Sequence, residues 1–475
     1  MANPEHLRLL ATTGWNEWRK ANHTTTPDFV GADLTKADLS GKALHHAHFT
    51  NAVLTGANFS DADLTGAVLS GARLSGAKFA RAKMENILLD YLDLSKNDFA
   101  GASLKGAMLR YAILEGCNLS AANLSLACLD GARLRGANLS VANMEGASFR
   151  TAHLEEANLF NANMKKASLE NAEAAGANLM KADLTGAQLT RVKMKKSHWE
   201  GAKLAQTSIQ SADLTDSTFV QAEITDSLFD HSLAQRCDFS KARIRKSFFR
   251  GTEMMRVKWP NVDIEDTDFS HSILEGADFR FAKIKNCDFT GATLAGALFY
   301  KQTLQNLVFV DADLSGADLR ETVGSKLRFH GAKLHGAMMR KAQFKECDFS
   351  GARFIEADLG GSQLPLCDFT GASFVDADLR FASMIGANLK SASLKRADLT
   401  CADLREAKLI GANLWGASFR KCRMETGTRL SIFPFYFLGS LFFPIQRALY
   451  RRRTAKEKVQ QQRVEEILHE KVAKK

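Results

Sequence analysis

The sequence predicts an all-β solenoid, a chain wound into stacked turns around one continuous core. Three regularities carry the prediction. Every fifth residue from Phe29 to Met424 is large and apolar, without a single insertion: of these 80 sites only Ala174, Ala234 and Gly324 break the rule. A small residue, usually alanine, stands two before each centre (Ala32, Ala37, Ala52, Ala57), and Asp or Asn often stands directly before it (Asp33, Asp38, Asn58, Asp63). The position two after the centre is often glycine, as at Gly56, Gly66, Gly71 and Gly76.

A period of five fits neither regular element. On a helix the apolar site would advance by about 140° per repeat and smear around the surface. In an extended segment the centre and the residue two before it share a face, so both point inward. Five is odd, however, and a straight strand would turn the next centre outward. A corner in each repeat removes the conflict, and glycine or another small residue suits a tight corner. Repetition of this kind also overrides the two or three domains that 475 residues would otherwise suggest, because a solenoid grows without new cores.

The strings "GADLTKADLS", "GANFSDADLTGA" and "GANLSVANMEGA" resemble the pentapeptide-repeat family, over about 83% of the chain. The resemblance implies a right-handed quadrilateral parallel β-helix with four repeats per coil. Eighty repeats then make about 20 coils, a rod roughly 95 Å long at ~4.8 Å per stacked strand. Residues twenty apart become vertical neighbours, so the sequence is readable as columns.

Residues 1–28 precede the repeats, and "HLRLLATTGWNEWRK" reads as a short amphipathic helix whose Leu7, Leu10, Trp15 and Trp18 close the first coil. Such a lid is needed because an open sheet edge invites aggregation. Within the repeats, residues 29–424, the small inward site is broken at Ile87, Leu92 and Asn97, implying a local bulge. Between 199 and 369 two columns on opposite faces turn aromatic, one from Trp199 through Phe239 to Phe299 and one from Phe229 to Phe369, as expected of packing. There the small site also becomes Ser, Thr, Val or Cys (Ser217, Ser227, Thr252, Val257), a wider or more hydrogen-bonded section.

Residues 425–475 differ in kind. Leu430–Gln446 contains no charge and five phenylalanines, and is followed by Arg447, Arg451, Arg452 and Arg453. The stretch is short for a spanning helix and broken by Pro434, Gly439 and Pro444. It either caps the last coil or docks on a membrane or partner, with Phe433, Phe435, Tyr436, Phe437, Phe442, Phe443 and the three arginines Arg451, Arg452 and Arg453 as the docking residues. The remaining tail reads as helical. No secretory signal peptide is legible, so a cytoplasmic location, peripheral to a membrane through the tail, is the expectation.

Chemistry finds little purchase. No P-loop, HExxH or GxSxG string occurs, no CxxC pair suggests a metal or redox motif, and no cofactor is called for. Six of eight cysteines take the small inward site, where cysteine acts as a buried hydrophobe. Cys347 and Cys367 stack; a disulfide there is sterically conceivable, while free thiols in a reducing compartment fit better. His45, His46 and His48 could face a metal but read as a solvated surface.

The +10 net charge belongs mostly to the tail: residues 425–475 hold eleven basic and five acidic groups, and the repeats 49 against 45. The resemblance admits DNA mimics that bind gyrase or another topoisomerase, but mimicry needs a strongly negative surface. It also admits effectors delivered by bacterial secretion systems. Basic clusters at Arg191, Lys193, Lys195 and Lys196, and at Arg236, Arg243, Arg245, Lys246 and Arg256, alternate with acids in their columns and read as a partly paired face, so nucleic acid is not an expected partner. What stands out is an outward apolar column of Val68, Leu88, Met108 and Cys128 beside Tyr91 and Tyr111. It is either tucked in by a loose corner or a protein-binding patch. The expected function is therefore a non-enzymatic scaffold for a protein partner, docked through its tail, with end-to-end dimers conceivable.

Overall fold

A computed structural model describes residues 2–425 of the chain, in two compact units, Met1–Ala297 and Leu298–Lys475. The Phe-rich segment, the arginine cluster and the expected terminal helix lie outside the described residues.

Each unit is a parallel β-solenoid in which every bridge joins residue i to i+20, as in Asn58↔Lys78 and Asp313↔Lys333. The hydrogen bonds of a single repeat explain its sequence rules. Around Phe59, the Ala57 N–H donates to the Leu54 carbonyl (3.0 Å) and closes a turn. Asn58 donates one turn down to Ala37 (2.9 Å), and Phe59 and Asp61 donate one turn up to Lys78 and Ala80 (2.7 and 2.8 Å). Only the Ser60 N–H lacks a backbone acceptor, and the Asn58 Oδ1 accepts it at 3.1 Å. Where Asp or Asn precedes the centre, it thus completes the set of backbone donors that burial obliges the chain to satisfy. Its amide nitrogen also reaches the neighbour twenty residues back, building ladders such as Asn178–Asn158–Asn138–Asn118–Asp98.

The corner is a left-handed residue. Gly56 has φ +67° and Gly66 +67°, but Asp61 (+61°), Lys36 (+58°) and many other non-glycine residues adopt the same conformation. Their strain, about 1–2 kcal/mol per residue, is offset by the ladder bonds on both sides of the corner. Centres and small sites are almost all inaccessible, forming the core.

Eight three-residue strands stand out from this background. β1 (Lys203–Ala205), β2 (Glu223–Thr225), β3 (Arg243–Arg245), β4 (Asp263–Glu265) and β5 (Lys283–Lys285) pair in register in the first unit. β6 (Thr303–Gln305), β7 (Val323–Ser325) and β8 (Gln343–Lys345) do so in the second. They occur where the following small site holds Thr207, Ser227, Ser247, Thr267, Cys287, Leu307, Leu327 or Cys347 rather than alanine. The Thr207 N–H turns away from the usual turn acceptor to Ser227 Oγ (3.1 Å), and Ser227 Oγ donates to the Leu204 carbonyl (2.7 Å). Where the small site is Ser or Thr, its hydroxyl therefore carries the backbone bonding, the hydrogen-bonded section foreseen for this stretch. The aromatic columns stack as expected: Phe219–Phe239 at 4.8 Å, with Phe239 meeting Phe249 edge to face across the core at 6.3 Å.

Two expectations need correction. The N-terminal cap is two helices, α1 (Pro4–Leu10) and α2 (Trp15–Ala21), separated by the Thr12–Gly14 turn. Trp15 is fully buried, its Nε1 donating to the Ala43 carbonyl (2.9 Å), while the Asn16 amide bonds Gly41 O and Ala43 N and Arg19 bonds the Asn22, Thr25 and His45 carbonyls. Leu7 and Trp18 are only partly covered.

Near Ile87 and Leu92 there is no bulge, for no residue is inserted and the register Val68↔Leu88↔Met108 is kept. Instead the larger side chains stretch the turn bonds to 3.4 Å at both residues. Among the described residues, the N–H groups of Gly66, Leu69, Gly71, Leu74 and Gly76 then make no hydrogen bond of normal geometry to the turn above. Asn97, buried in the same turn, leaves both side-chain polar atoms without a partner. Such a seam opens more cheaply than its surroundings. In hydrogen exchange, the Leu69 and Leu74 amides are expected to exchange at least about tenfold faster than those of Leu109 and Leu114, which donate at 2.7 Å. Equal protection would mean the seam is closed in solution.

Candidate functional site

The apolar column lies on one outward face of the first unit, over the opened seam. Leu88 is 62% exposed, Tyr91 71% and Tyr111 55%, while Val68, Met108 and Cys128 are half-buried. Tyr91 and Tyr111 occupy left-handed corners and stack at 5.4 Å with 12° between their rings. One turn up from Tyr111, Gly131 completes the platform: a Cβ on Gly131 would come within 2.4 Å of the Tyr111 ring, so only glycine lets the ring lie flat against the next corner. The spacing of twenty between Tyr91, Tyr111 and Gly131 was the available sequence signal for that support.

Between the apolar column and the tyrosines runs a file of alternating charge that the sequence pattern did not single out. Arg110 pairs with Asp90 (2.6 Å) and Arg150 with Asp130 (2.8 Å). Burial would raise the Asp130 carboxyl, yet hydrogen bonds from Ser148 and Arg150 hold it below its usual range. The charges are thus already satisfied within the chain and leave the apolar groups as the unpaired component of the face. One further apolar side chain stands out at the adjacent corner, Leu126 (64%), whereas Val141 (54%) lies at the opposite corner of the turn.

The other sequence candidates resolve differently. His45 and His46 meet edge to face at 5.9 Å, the His46 ring lying over Gly66, and the three histidines do not converge on a common point among the described residues. Burial lowers the His45 pKa. The basic clusters are partly paired, Lys193 with Glu173 (2.7 Å), Lys195 with Asp213 (3.1 Å), Arg236 with Asp216 (2.6 Å) and Arg245 with Asp263 (2.5 Å). Cys347 and Cys367 are free buried thiols, and burial pushes Cys117, Cys237 and Cys287 up to about 12, which keeps them protonated and unreactive.

Family models match the sequence along most of the chain. The model described as pentapeptide repeats matches overlapping segments from residue 28 to 221, 263–299 and 352–425, and a pentapeptide repeat region matches 282–359. The chain belongs to the pentapeptide-repeat family. No curated protein matches it.

Among solved structures it is similar to HetL, a pentapeptide repeat protein involved in heterocyst differentiation regulation from the cyanobacterium Nostoc sp. strain PCC 7120. That likeness has 20% identity over 73% of this chain and 91% of HetL, with a TM-score of 0.13. Full-length QnrB1, a plasmid-mediated fluoroquinolone resistance protein, matches at 18% identity over 46% of this chain and 91% of its own, TM-score 0.20. A pentapeptide repeat protein of the Arabidopsis thaliana thylakoid lumen is 32% identical over 22% of this chain and 69% of its own, TM-score 0.12. Superpositions this weak assign no function.

Proposed function

We propose that this chain is a non-enzymatic scaffold that binds a protein partner through the face bearing Leu88, Tyr91, Met108 and Tyr111. The observation that carries the reading is the exposed Tyr91–Tyr111 stack beside Leu88, held by a glycine corner and flanked by charges already paired. Rigid aromatic groups on a fixed backbone lose little entropy on binding, and tyrosine is enriched among residues that dominate interface energies. The loose-corner alternative would tuck these side chains in, and their exposure speaks for the patch.

The test is affinity capture from extracts of the producing cells with wild-type protein and with Leu88, Tyr91, Met108 and Tyr111 all changed to Ser. A partner retained by the wild type is expected to be lost by the variant by more than about thirtyfold, the equivalent of one strong interface residue. Identical sets of captured proteins would remove the patch from the proposal.

Tethering through the tail is a separate element of the reading, supported by the aromatic run Phe433–Phe443 beside Arg451, Arg452 and Arg453 in the sequence. Aromatic side chains suit the headgroup boundary, and arginines suit anionic lipid. Among the described residues no helix is long and apolar enough to cross a membrane. Co-sedimentation of the full chain with anionic liposomes, lost on deletion of 430–453, would support the tether; full-length protein left in the supernatant would end it.

A further inference from the structure

We propose that His153, Glu155 and Glu173 form a binding site for a divalent transition-metal cation, with Zn2+ as the matching ion. The fold brings the three together. His153 and Glu155 flank the buried centre Leu154 on the same outward side, and Glu173 is bridged to His153 one turn on. Outward neighbours within a turn stand about 6.5 Å apart and those between turns ~4.8 Å apart, so three side chains converge over one spot.

The His153 Nδ1 lies 3.4 Å from Glu155 Oε1 and 3.9 Å from Glu173 Oε2, and one ligand atom from each residue lies within 4.8 Å of the others. A tetrahedral zinc ion with bonds of about 2.1 Å separates its ligand atoms by roughly 3.4 Å, which these side chains reach by small rotations. The second Glu155 oxygen, Oε2, is shielded from solvent and has no partner. A desolvated, unpaired carboxylate oxygen is costly, and a cation would satisfy it. One imidazole with two carboxylates suits zinc and its neighbours rather than calcium or magnesium, which favour sets of six or more oxygens.

The neighbouring charges sharpen the proposal. Lys193, the next residue up the column, places Nζ 2.7 Å from Glu173 Oε1 and competes directly for that ligand. Arg133 below is engaged by Glu115 (2.6 Å) and Lys195 by Asp213 (3.1 Å), so neither needs these carboxylates. The chain also contains its own control. His198 and Glu200 repeat the flanking pair at 3.7 Å, with Glu200 Oε2 likewise shielded and without a hydrogen-bond partner, but the residue one turn on from His198 is Thr218, and the third ligand is missing.

Zn2+ titration by calorimetry and Co2+ absorption, on the full chain at neutral pH, test the site. One saturable equivalent is expected, with affinity falling at least about tenfold in H153Q and in E173Q. In K193Q it should rise about two- to fivefold, the equivalent of one exposed ion pair released, and in H198Q it should not change. All four positions are on the surface, and circular dichroism checks that each variant keeps the fold. The proposal is overturned if no saturable binding occurs. It is equally overturned if E173Q and K193Q leave the affinity unchanged, or if binding is instead abolished by joint H45N, H46N and H48N substitution, which would place the metal on the N-terminal histidines.

Discussion

Replacing Phe239 by Ala is expected to destabilise the first unit by about 3–5 kcal/mol, the range for deleting a buried aromatic ring. Phe239 is inaccessible, stacked on Phe219 at 4.8 Å and on Trp259 at 5.1 Å, and it meets Phe249 edge to face. Each such pair adds about 0.5–1.5 kcal/mol beyond area burial, and three are lost at once. The backbone ladder above and below the site resists collapse into the cavity, which pushes the cost toward the upper end. In a solenoid each turn contacts only its neighbours, so the damage should concentrate around residues 219–259. Hydrogen exchange across that span, alongside urea denaturation, reads it. Phe239→Leu should cost under half as much, because most of the volume is kept. A loss below about 1 kcal/mol for the alanine variant would mean that the column is not the continuous core described.

The second large effect is expected at the N-terminal end. Trp15→Ala removes a fully buried indole packed on Phe29 (5.7 Å) and Trp18 (5.1 Å), again about 3–5 kcal/mol. It also leaves the Ala43 carbonyl without its donor, at about 1 kcal/mol more. Here the consequence differs in kind. α2 holds the outer edge of the first turn through Trp15, Asn16 and Arg19. Releasing it uncovers parallel backbone donors and acceptors ready to pair with another chain. Light scattering after size exclusion should show self-association, and amides in residues 29–60 should lose protection. A variant that stays the size of the wild type, with unchanged exchange, would mean that the helices rest on the turn without sealing it.

Much of this protein was legible because its repeat is strict. The five-residue frame located every inward centre, the glycines marked the corners, and the spacing of twenty placed Tyr91 against Tyr111 and Phe219 against Phe239. Other features resisted, each for a physical reason. Asp and Asn before the centre looked like mere outward polarity, because the donor they satisfy, the N–H two residues on, is unpaired only once the turns are stacked. The seam under Leu88 was foreseen in place but not in kind, since a bulky side chain can either insert a kink or push adjacent turns apart, and sequence does not choose. The His153, Glu155 and Glu173 cluster has no linear motif; its third member comes from the turn above, and Asp and Glu are too common on the outward face to signal it.

By itself, then, the sequence determined the period, the inward and outward sides, and the family, because those follow from local backbone geometry repeated without interruption. Tertiary structure alone decided which donors lack partners, where neighbouring turns separate and which charges meet. Each of those depends on the ångström-scale fit between side chains twenty residues apart, and chain order does not specify that fit.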